Sequence, residues 1–288
     1  LQAATGRAGL ASGLLCTPGM EALRAAGPGV GEPLGIGLGT AGLVRVRDGT
    51  LHAATNLGWR DIPFRARWEA RYSLPVRVGN EASIAALGEH YFGAGAGCAD
   101  FIYLELSAQG IGAGIFVDGR LYQGVDGYAG EVGHMVIDPA GAPCTCGRRG
   151  CWEAALRAAC DLAPLRESLA AGAASTLNPA ALTRATVLAA AEAGDALAAD
   201  YVARLTAVLS AGIANLVNLF NPARVVLGGP LGLALAPFLA ALQADVTAQI
   251  TLPADGAPSL VLTQIPSNVC ALGAVALVLD GIMSEPLS

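Results

Sequence analysis

The chain has 288 residues, of which 53% are hydrophobic and 14% are charged, and its formal net charge at pH 7 is −6. All 17 basic residues are arginines. Because lysine is absent, a Walker A phosphate loop, a Schiff-base lysine and a lysine general base are excluded. The acidic balance without a basic stripe predicts that this segment makes no direct contact with nucleic acid.

Two apolar stretches bear on the cellular location. Residues 1–15 are weakly apolar and interrupted by Arg7, so they do not predict a signal sequence. Residues 206–223 carry no charge but include Ser210 and three asparagines, which favours a buried helix over a membrane span. We therefore expect a cytoplasmic protein without a membrane segment. Because the first residue is not Met, we also expect that the natural N-terminus lies upstream.

The first half of the chain predicts mainly strands. Apolar runs and the Asp48-Gly49 turn predict short strands and a hairpin between residues 34 and 54. A strand at 75–78 precedes a helix at 81–91, whose apolar residues recur at helical spacing. Another strand is predicted at 101–107.

A series of glycines follows this strand, at Gly110, Gly112 and Gly114. A dinucleotide fingerprint would have to open a helix, but residues 115–122 instead predict strand, turn and strand. We therefore predict a hairpin at whose bend backbone amides can approach a phosphate without a Cβ in the way. A tight hairpin with no ligand is the alternative.

The second half is predicted to be mainly helical. Its apolar stripe is clearest between residues 196 and 219. No Ser/Pro-rich linker interrupts the chain, so we expect two lobes without a tether. The predicted helices are 152–165, 181–193, 196–219, 234–250 and 268–279, with strands at 224–227 and 260–263.

One cluster of residue types has the spacing of a metal site. His134 is followed after nine residues by Cys144 and Cys146, and after four more by Cys151. One imidazole and three thiolates suit tetrahedral Zn²⁺, and four protein ligands leave no open position. The sequence therefore predicts a structural zinc site, with a lone histidine and free thiols as the alternative.

Three carboxylates lie close to this cluster or to a strand end. Glu131 precedes His134 by three residues, Glu153 follows Cys151 by two, and Glu81 comes directly after Asn80. Each carboxylate alone is typical of a helix cap or a surface charge. A metal that orders the loop would direct Glu131 and Glu153 to one place, where carboxylates suit a polyhydroxylated ligand.

Together these motifs resemble the ROK family (repressors, open reading frames and kinases) from about residue 35 to the final helix. The zinc motif with its flanking glutamates is highly specific, and the glycine loops support it. The motifs are Gly130-Glu-Val-Gly-His134, Pro143-Cys-Thr-Cys-Gly147, Gly150-Cys-Trp-Glu153, Asn56-Leu-Gly-Trp59, Gly79-Asn-Glu-Ala82, Ala86-Leu-Gly-Glu89, Gly110-Ile-Gly-Ala-Gly114, Asp118-Gly119 and Leu227-Gly-Gly229.

The resemblance implies an α/β, actin-like (RNase H-like) fold of two lobes around a cleft, with a zinc-binding loop. We place the N-terminal lobe at 1–97, truncated at its start and completed by a C-terminal helix at 268–286. The C-terminal lobe then spans 98–267 and includes the zinc loop at 134–151. Dimers are usual in the resembled family, so we expect a homodimer or another homo-oligomer.

The resemblance also assigns roles to individual positions. In the family, an Asn, two Glu and the zinc-ligating His bind a hexose, and these positions are Asn80, Glu131, Glu153 and His134 here. Glu81 stands where the family has its catalytic Asp base. Family kinases place ATP phosphates on the glycine hairpin and adenosine near a Gly-Gly turn, here Gly228-Gly229. The implied ligands are a sugar and structural Zn²⁺, with Mg-ATP added only for a kinase.

Three departures from the kinase pattern bear on function. A Glu at position 81 moves the carboxylate by about 1.5 Å, and a misplacement of about 1 Å can cost about a hundredfold in rate. Ser107-Ala-Gln-Gly110 replaces the Gly-Thr-Gly of the second phosphate loop. An Asp-x-Gly-Gly-Thr motif, which makes the first phosphate loop and helps to place Mg²⁺, is absent near the start.

These departures favour the repressor branch of the family, such as the xylose repressors. We expect a sugar-binding effector domain of a transcriptional regulator, without the winged helix-turn-helix that precedes it in repressors. An ATP-dependent hexose kinase that uses Glu81 as base is the alternative, and a degenerate relic with neither activity is a third.

Overall fold

The structure, a computed structural model, describes residues 33–253 and 256–284. The stretch 1–15, most of the predicted start of the N-terminal lobe and the end of the predicted helix 268–286 lie outside these residues. The strands are β1 (Ile36–Thr40), β2 (Leu43–Arg45), β3 (Thr50–Ala54), β4 (Trp59–Pro63), β5 (Val76–Asn80), β6 (Phe101–Leu106), β7 (Ile111–Val117), β8 (Arg120–Leu121), β9 (Arg224–Gly228) and β10 (Ser259–Leu262).

Four α-helices follow one another between β8 and β9, and the others lie between or after the remaining strands. The α-helices are α1 (Phe64–Tyr72), α2 (Glu81–Phe92), α3 (Trp152–Ala159), α4 (Ala163–Ala170), α5 (Arg184–Glu192), α6 (Ala196–Phe220), α7 (Gly229–Ala234), α8 (Leu239–Gln249) and α9 (Val269–Ser284).

Three sheets organise the described residues. A five-stranded sheet has the order β10-β9-β6-β7-β8, in which β10, β9 and β6 are parallel and the hairpin strands β7 and β8 are antiparallel. β1 and β5 form a parallel pair, and β2, β3 and β4 form an antiparallel sheet. The strand, turn and strand predicted at 115–122 are confirmed as the end of β7, its turn and β8. The prediction that the glycine series forms the bend is wrong for Gly112 and Gly114, because they lie within β7, paired with Glu105 and Tyr103 of β6.

The pleat of β6 decides which residues meet which helices. Ile102, Leu104 and Leu106 belong to the large core on the side of α6. Phe101 and Tyr103 belong to a second core with residues of α2 and α9. Because side chains alternate across a strand, Glu105 lies on the α2 side, at the carboxyl end of β6.

The long helix α6 is a core element, as its uncharged sequence predicted. Among the described residues it is the helix with the length and apolarity to cross a membrane, but more than half of that apolar stretch is buried inside the protein. Its buried residues include Tyr201, Leu205, Leu209, Ile213 and Leu216. The side of α6 that faces the sheet therefore supplies much of the large core.

Two predicted helices differ from the observed ones. The helix predicted at 152–165 is interrupted after Ala159, and α4 begins at Ala163 with Pro164 in its first turn. Proline lacks an N–H and its ring clashes with the carbonyl four residues earlier, so α3 cannot continue through it. The start of the helix predicted at 234–250 is wrong, because α7 ends at Ala234 and α8 begins at Leu239. A short 3-10 turn with Pro237 lies between them, and the proline cannot occupy a helix interior.

Candidate functional site

The four predicted metal ligands come together in the loop that precedes α3. One ligand atom each from His134, Cys144, Cys146 and Cys151 lies within 4.8 Å of all the others. Cys144 Sγ is 3.7 Å from His134 Nδ1, and Cys146 Sγ is 3.6 Å from Cys151 Sγ. Tetrahedral zinc with bonds of about 2.3 Å separates its ligand atoms by about 3.7 Å. The four side chains can therefore hold a metal ion.

The conformation of this loop depends on a glycine and on short-range hydrogen bonds. Gly150 has φ +70°, and a Cβ there would lie 1.6 Å from the carbonyl oxygen of Asp138. The N–H of Cys144 donates to the carbonyl of Arg148 at 2.7 Å, and the N–H of Gly147 donates to the carbonyl of Cys144 at 3.0 Å. These contacts fold the chain back so that Cys144 and Cys151 approach the same point.

Trp152 connects the loop to the core. Its side chain is fully buried, and its indole Nε1–H donates to the carbonyl of Val208 in α6 at 2.8 Å. The backbone N–H of Trp152 donates to the carbonyl of Met135, next to His134. Cys151 and His134 are thereby fixed relative to α6.

Glu131 and Glu153 lie next to the cysteine cluster. Glu131 Oε2 is 4.0 Å from His134 Nε2, the ring nitrogen that does not face Cys144. The pKa of Glu131 is raised, mainly because the side chain is buried. His134 lowers this pKa, and the neighbouring charge of Glu153 raises it. Glu153 accepts a 3.0 Å hydrogen bond from Arg157 Nη2. These two carboxylates and the imidazole lie near one another, where they can accept or donate hydrogen bonds to a ligand.

The glycine hairpin approaches the same group. A Cβ at Gly110 would lie 3.0 Å from Glu153 Oε2. Gly112 and Gly114 pack instead against α2, where a Cβ would meet the Cβ atoms of Ala82 at 2.7 Å and Ala86 at 2.3 Å. The latter two glycines therefore have a packing role, which the sequence did not distinguish from phosphate binding.

The amides at the hairpin bend already have partners. Ser107 Oγ accepts from the N–H of Gln109 at 3.2 Å and from the N–H of Gly110 at 3.1 Å. The N–H of Ser107 donates to the carbonyl of Gly110 at 3.1 Å. In this conformation these two amides of the bend are directed to a side chain of the loop itself.

Asn80 has a structural role at the start of α2. Its Oδ1 accepts from the N–H groups of Ala82 at 2.9 Å and Ser83 at 3.3 Å, and its Nδ2 donates to the carbonyl of Gly42 at 3.0 Å. Asn80 is thus the N-cap of α2 and links it to the loop after β1. One N–H of the amide has no partner among these three bonds.

A second carboxylate pair, which the sequence did not reveal, lies between α2 and β6. Burial raises the pKa of Glu81, and the charge of Glu105 raises it further. Burial also raises the pKa of Glu105, which accepts a short hydrogen bond from the Tyr103 hydroxyl. The only sequence signal for Glu105 was a charged residue inside the apolar run of β6.

Glu105 stands between the two predicted nucleotide loops. A Cβ added at Gly112 would lie 3.6 Å from the Cβ of Glu105. A Cβ added at Gly229 would lie 2.8 Å from Oε1 of Glu105. Gly228 is also closely packed, because a Cβ there would meet the Tyr103 hydroxyl. A carboxylate therefore lies where the hairpin and the Gly228-Gly229 turn converge.

The fold and the clustered side chains define an α/β protein of the actin-like class with a potential metal-binding loop. The sequence model of the ROK family matches residues 22–281, and the chain belongs to this family. The predicted family and fold class are confirmed.

Both branches of the family are represented among the similar proteins. The chain is 40% identical to a glucokinase of Halalkalibacterium halodurans over 202 residues, 68% of this chain and 61% of that protein. It is 34% identical to a putative xylose repressor of Caldicellulosiruptor sp. over 280 residues, 92% of this chain and 67% of that protein.

A solved structure extends the similarity to three dimensions. A ROK family transcriptional regulator, a homologue of the Escherichia coli MLC protein, superposes with a TM-score of 0.79 at 28% identity, over 96% of this chain and 72% of that one. The chain spans about three fifths to two thirds of the length of the curated relatives it matches.

Proposed function

We propose that the chain is the sugar-binding effector part of a ROK-type transcriptional regulator, and that it does not phosphorylate its sugar. The sugar would contact Glu131, His134 and Glu153, whose carboxylates and imidazole can accept and donate hydrogen bonds to hydroxyl groups. Asn80 and Glu81 would lie at the other wall of the cleft. Similarity to the putative xylose repressor over 92% of the chain supports this assignment.

The observation that carries the proposal is the hydrogen bonding within the loop 107–110. A phosphate-binding loop needs free backbone N–H groups. The N–H groups of Gln109 and Gly110 donate to Ser107 Oγ instead. Glu105 adds a carboxylate beside Gly229, so a polyphosphate would meet like charge as well as occupied donors.

Zinc would have a structural role in this protein. His134 Nδ1 and the three cysteine thiolates would hold it, and four protein ligands leave no position for a reacting water. The bound ion would hold the loop in its folded conformation. His134 Nε2, on the far side of the ring, would then be oriented toward Glu131 and the sugar, so that loss of the metal would disturb the sugar site.

In a regulator, the bound sugar must favour one arrangement of the two lobes. A ligand that bound both arrangements equally would change nothing, however tightly it bound. The predicted lobe boundary between residues 97 and 98 places Glu81 in one lobe and Glu131 and Glu153 in the other. α2, which carries Glu81, already packs on β7 in this structure, so a sugar that reached both walls would favour this arrangement of the two walls.

A hexose kinase is the second candidate, and one observation favours it. The Glu81 carboxylate has a raised pKa, and a general base works best when its pKa lies near the operating pH. The 40% identity to a glucokinase over 202 residues supports the same candidate. In this case Glu81 would take the proton of the attacking sugar hydroxyl, and Mg-ATP would supply the phosphoryl group.

Calorimetry combined with a coupled ADP assay distinguishes the candidates. Glucose, mannose and xylose are titrated into the zinc-loaded chain, and the same sugars are then incubated with Mg-ATP. We expect heat of binding from at least one sugar and no ADP above background. ADP formation that disappears in Glu81→Gln would overturn the effector proposal.

The control variant is Glu192→Gln, which removes an exposed carboxylate at the end of α5. It should bind sugar like the unaltered chain, whereas Glu131→Gln should not. If none of the sugars binds and no ADP forms, neither function is supported and the relic hypothesis stands.

A further inference from the structure

A crevice of about 820 Å³ lies apart from the candidate sugar site. It is lined by residues of the turn after β2, of α1, β5, α2 and α9, and of the β7–β8 hairpin. None of Glu81, Glu131, His134 and Glu153 is among its lining residues. The crevice lies at the end of β7 that leads into β8, and Gly110, beside the candidate sugar site, lies at the other end. The length of β7, about 20 Å, therefore separates the crevice from the candidate sugar site.

The charge of this crevice contrasts with that of the whole chain. Four arginines line it, namely Arg47, Arg65, Arg77 and Arg120, and the one carboxylate among its lining residues is Asp280. Asp280 accepts a 3.0 Å hydrogen bond from the Tyr91 hydroxyl. In a protein of net charge −6, four guanidinium groups around one concave surface focus positive potential there.

Two nitrogens on the wall of the crevice are buried without a hydrogen-bond partner. They are Nε of Arg65 and Nδ1 of His90. The other end of the Arg65 guanidinium is fixed, because Nη1 donates to the carbonyl of Arg47 and Nη2 to that of Val46, both at 2.9 Å. Buried polar atoms without a partner are rare in folded proteins, and a water molecule or a polar ligand group beside these two nitrogens would satisfy them.

The floor of the crevice is apolar and contains a ring stack. The imidazole of His90 lies on Phe116 with ring centroids 4.5 Å apart and an interplanar angle of 21°. Burial lowers the pKa of His90, so the ring is neutral at neutral pH and can accept or donate a hydrogen bond. Leu87 and Leu277 add aliphatic surface.

We propose that this crevice binds an organic phosphate, with the phosphate group on the arginines and an apolar or planar body against the His90–Phe116 floor. Arginine forks match phosphate oxygens in geometry and charge. The volume falls within the range of small-molecule pockets, about 300–1,000 Å³, so it has room for more than a bare phosphate ion. Because its walls include the β7–β8 hairpin as well as α2 and α9, an occupant would connect these elements.

Calorimetry at an ionic strength of about 0.15 M tests this with three probes: phenyl phosphate, inorganic phosphate and phenol. We expect phenyl phosphate to bind more tightly than either of the other two and to raise the melting temperature. Arg47→Gln combined with Arg120→Gln removes two exposed guanidinium groups. This double variant should weaken phenyl phosphate binding by about tenfold or more, as expected for the loss of a charge-assisted hydrogen bond.

The matched control is Arg60→Gln combined with Arg67→Gln, which removes the same charge from two exposed positions outside the crevice. It should change the affinity by about twofold at most, because neither residue lines the crevice and interactions between exposed charges are largely screened beyond about 8 Å at this ionic strength. Saturating sugar should not compete with phenyl phosphate. The proposal is overturned if phenyl phosphate does not bind, if both double variants lose affinity equally, if sugar competes, or if inorganic phosphate binds as tightly.

Discussion

Nε2 of His134 lies 4.0 Å from Oε2 of Glu131, while Nδ1 of the same ring lies 3.7 Å from the sulfur of Cys144. One imidazole therefore has the cysteine cluster on one side and a carboxylate on the other. Any change on the cysteine side that rotates the ring also moves the partner of Glu131. This relationship makes the proposed metal and sugar sites interdependent.

Removal of the metal should destabilise the chain and weaken sugar binding together. We expect about one zinc per chain by metal analysis, as a closed four-ligand site requires. Cys146→Ser, or a strong chelator, should lower the melting temperature and reduce sugar affinity by about tenfold or more. Cys98→Ser is the control, since Cys98 donates to the carbonyl of Asp100 and serine can do the same. A stable, sugar-binding preparation without metal would contradict the prediction.

Neutralising Glu131 should affect the ligand and leave the fold intact. Glu131→Gln keeps the side-chain shape but removes a charged acceptor, so sugar binding should weaken by about 1.5–3 kcal/mol. The measurement is calorimetric titration, with circular dichroism to confirm that secondary structure is unchanged. An affinity equal to that of the unaltered chain would exclude Glu131 from the sugar site.

Glu105 should make stability fall as pH rises. Burial raises its pKa in the folded chain, so between its usual pKa and the raised one the folded state binds more protons than the unfolded state. The free energy of unfolding then decreases with rising pH across that window. Glu105→Gln retains an acceptor for the Tyr103 hydroxyl and removes the contribution of Glu105 to this pH dependence.

The test compares melting temperatures between pH 4.5 and pH 8. Relative to the unaltered chain, Glu105→Gln should gain stability as pH rises, whereas Glu167→Gln, at an exposed position on α4, should not. Parallel curves for the Glu105 variant and the unaltered chain would mean that this carboxylate titrates alike in the folded and unfolded states.

Gly212 in α6 should tolerate no side chain. A Cβ there would lie 2.0 Å from Cε2 of Trp152, the residue that anchors the cysteine loop. Gly212→Ala should therefore destabilise by about 1–3 kcal/mol, even though alanine favours the helix by about 1 kcal/mol. Denaturant unfolding measures the change. Asn215→Ala, at an exposed position one turn along, should be neutral or stabilising.

Much of the fold was predictable from local patterns. The apolar run of β6, the β7–β8 hairpin and the uncharged stretch of α6 were all predicted and are confirmed. β4 and α1 were not predicted. β4 is five residues long and contains two charged residues and a proline, so it has no clear period of two. For α1, the spacing of Phe64, Trp68 and Tyr72 places three aromatic residues on one face of a helix, and this spacing is the signal that could have predicted it.

The family and the candidate metal ligands were predictable from the amino-acid sequence, because His134, Cys144, Cys146 and Cys151 lie within 18 residues and their side-chain types suit zinc. The groups that surround these ligands depend on how the chain folds. Glu105 meets Glu81 because the pleat of β6 turns it toward α2, and the amides after Ser107 are occupied because the hairpin bends there. Strand register and helix packing join residues that are distant in sequence, and no local pattern records those contacts.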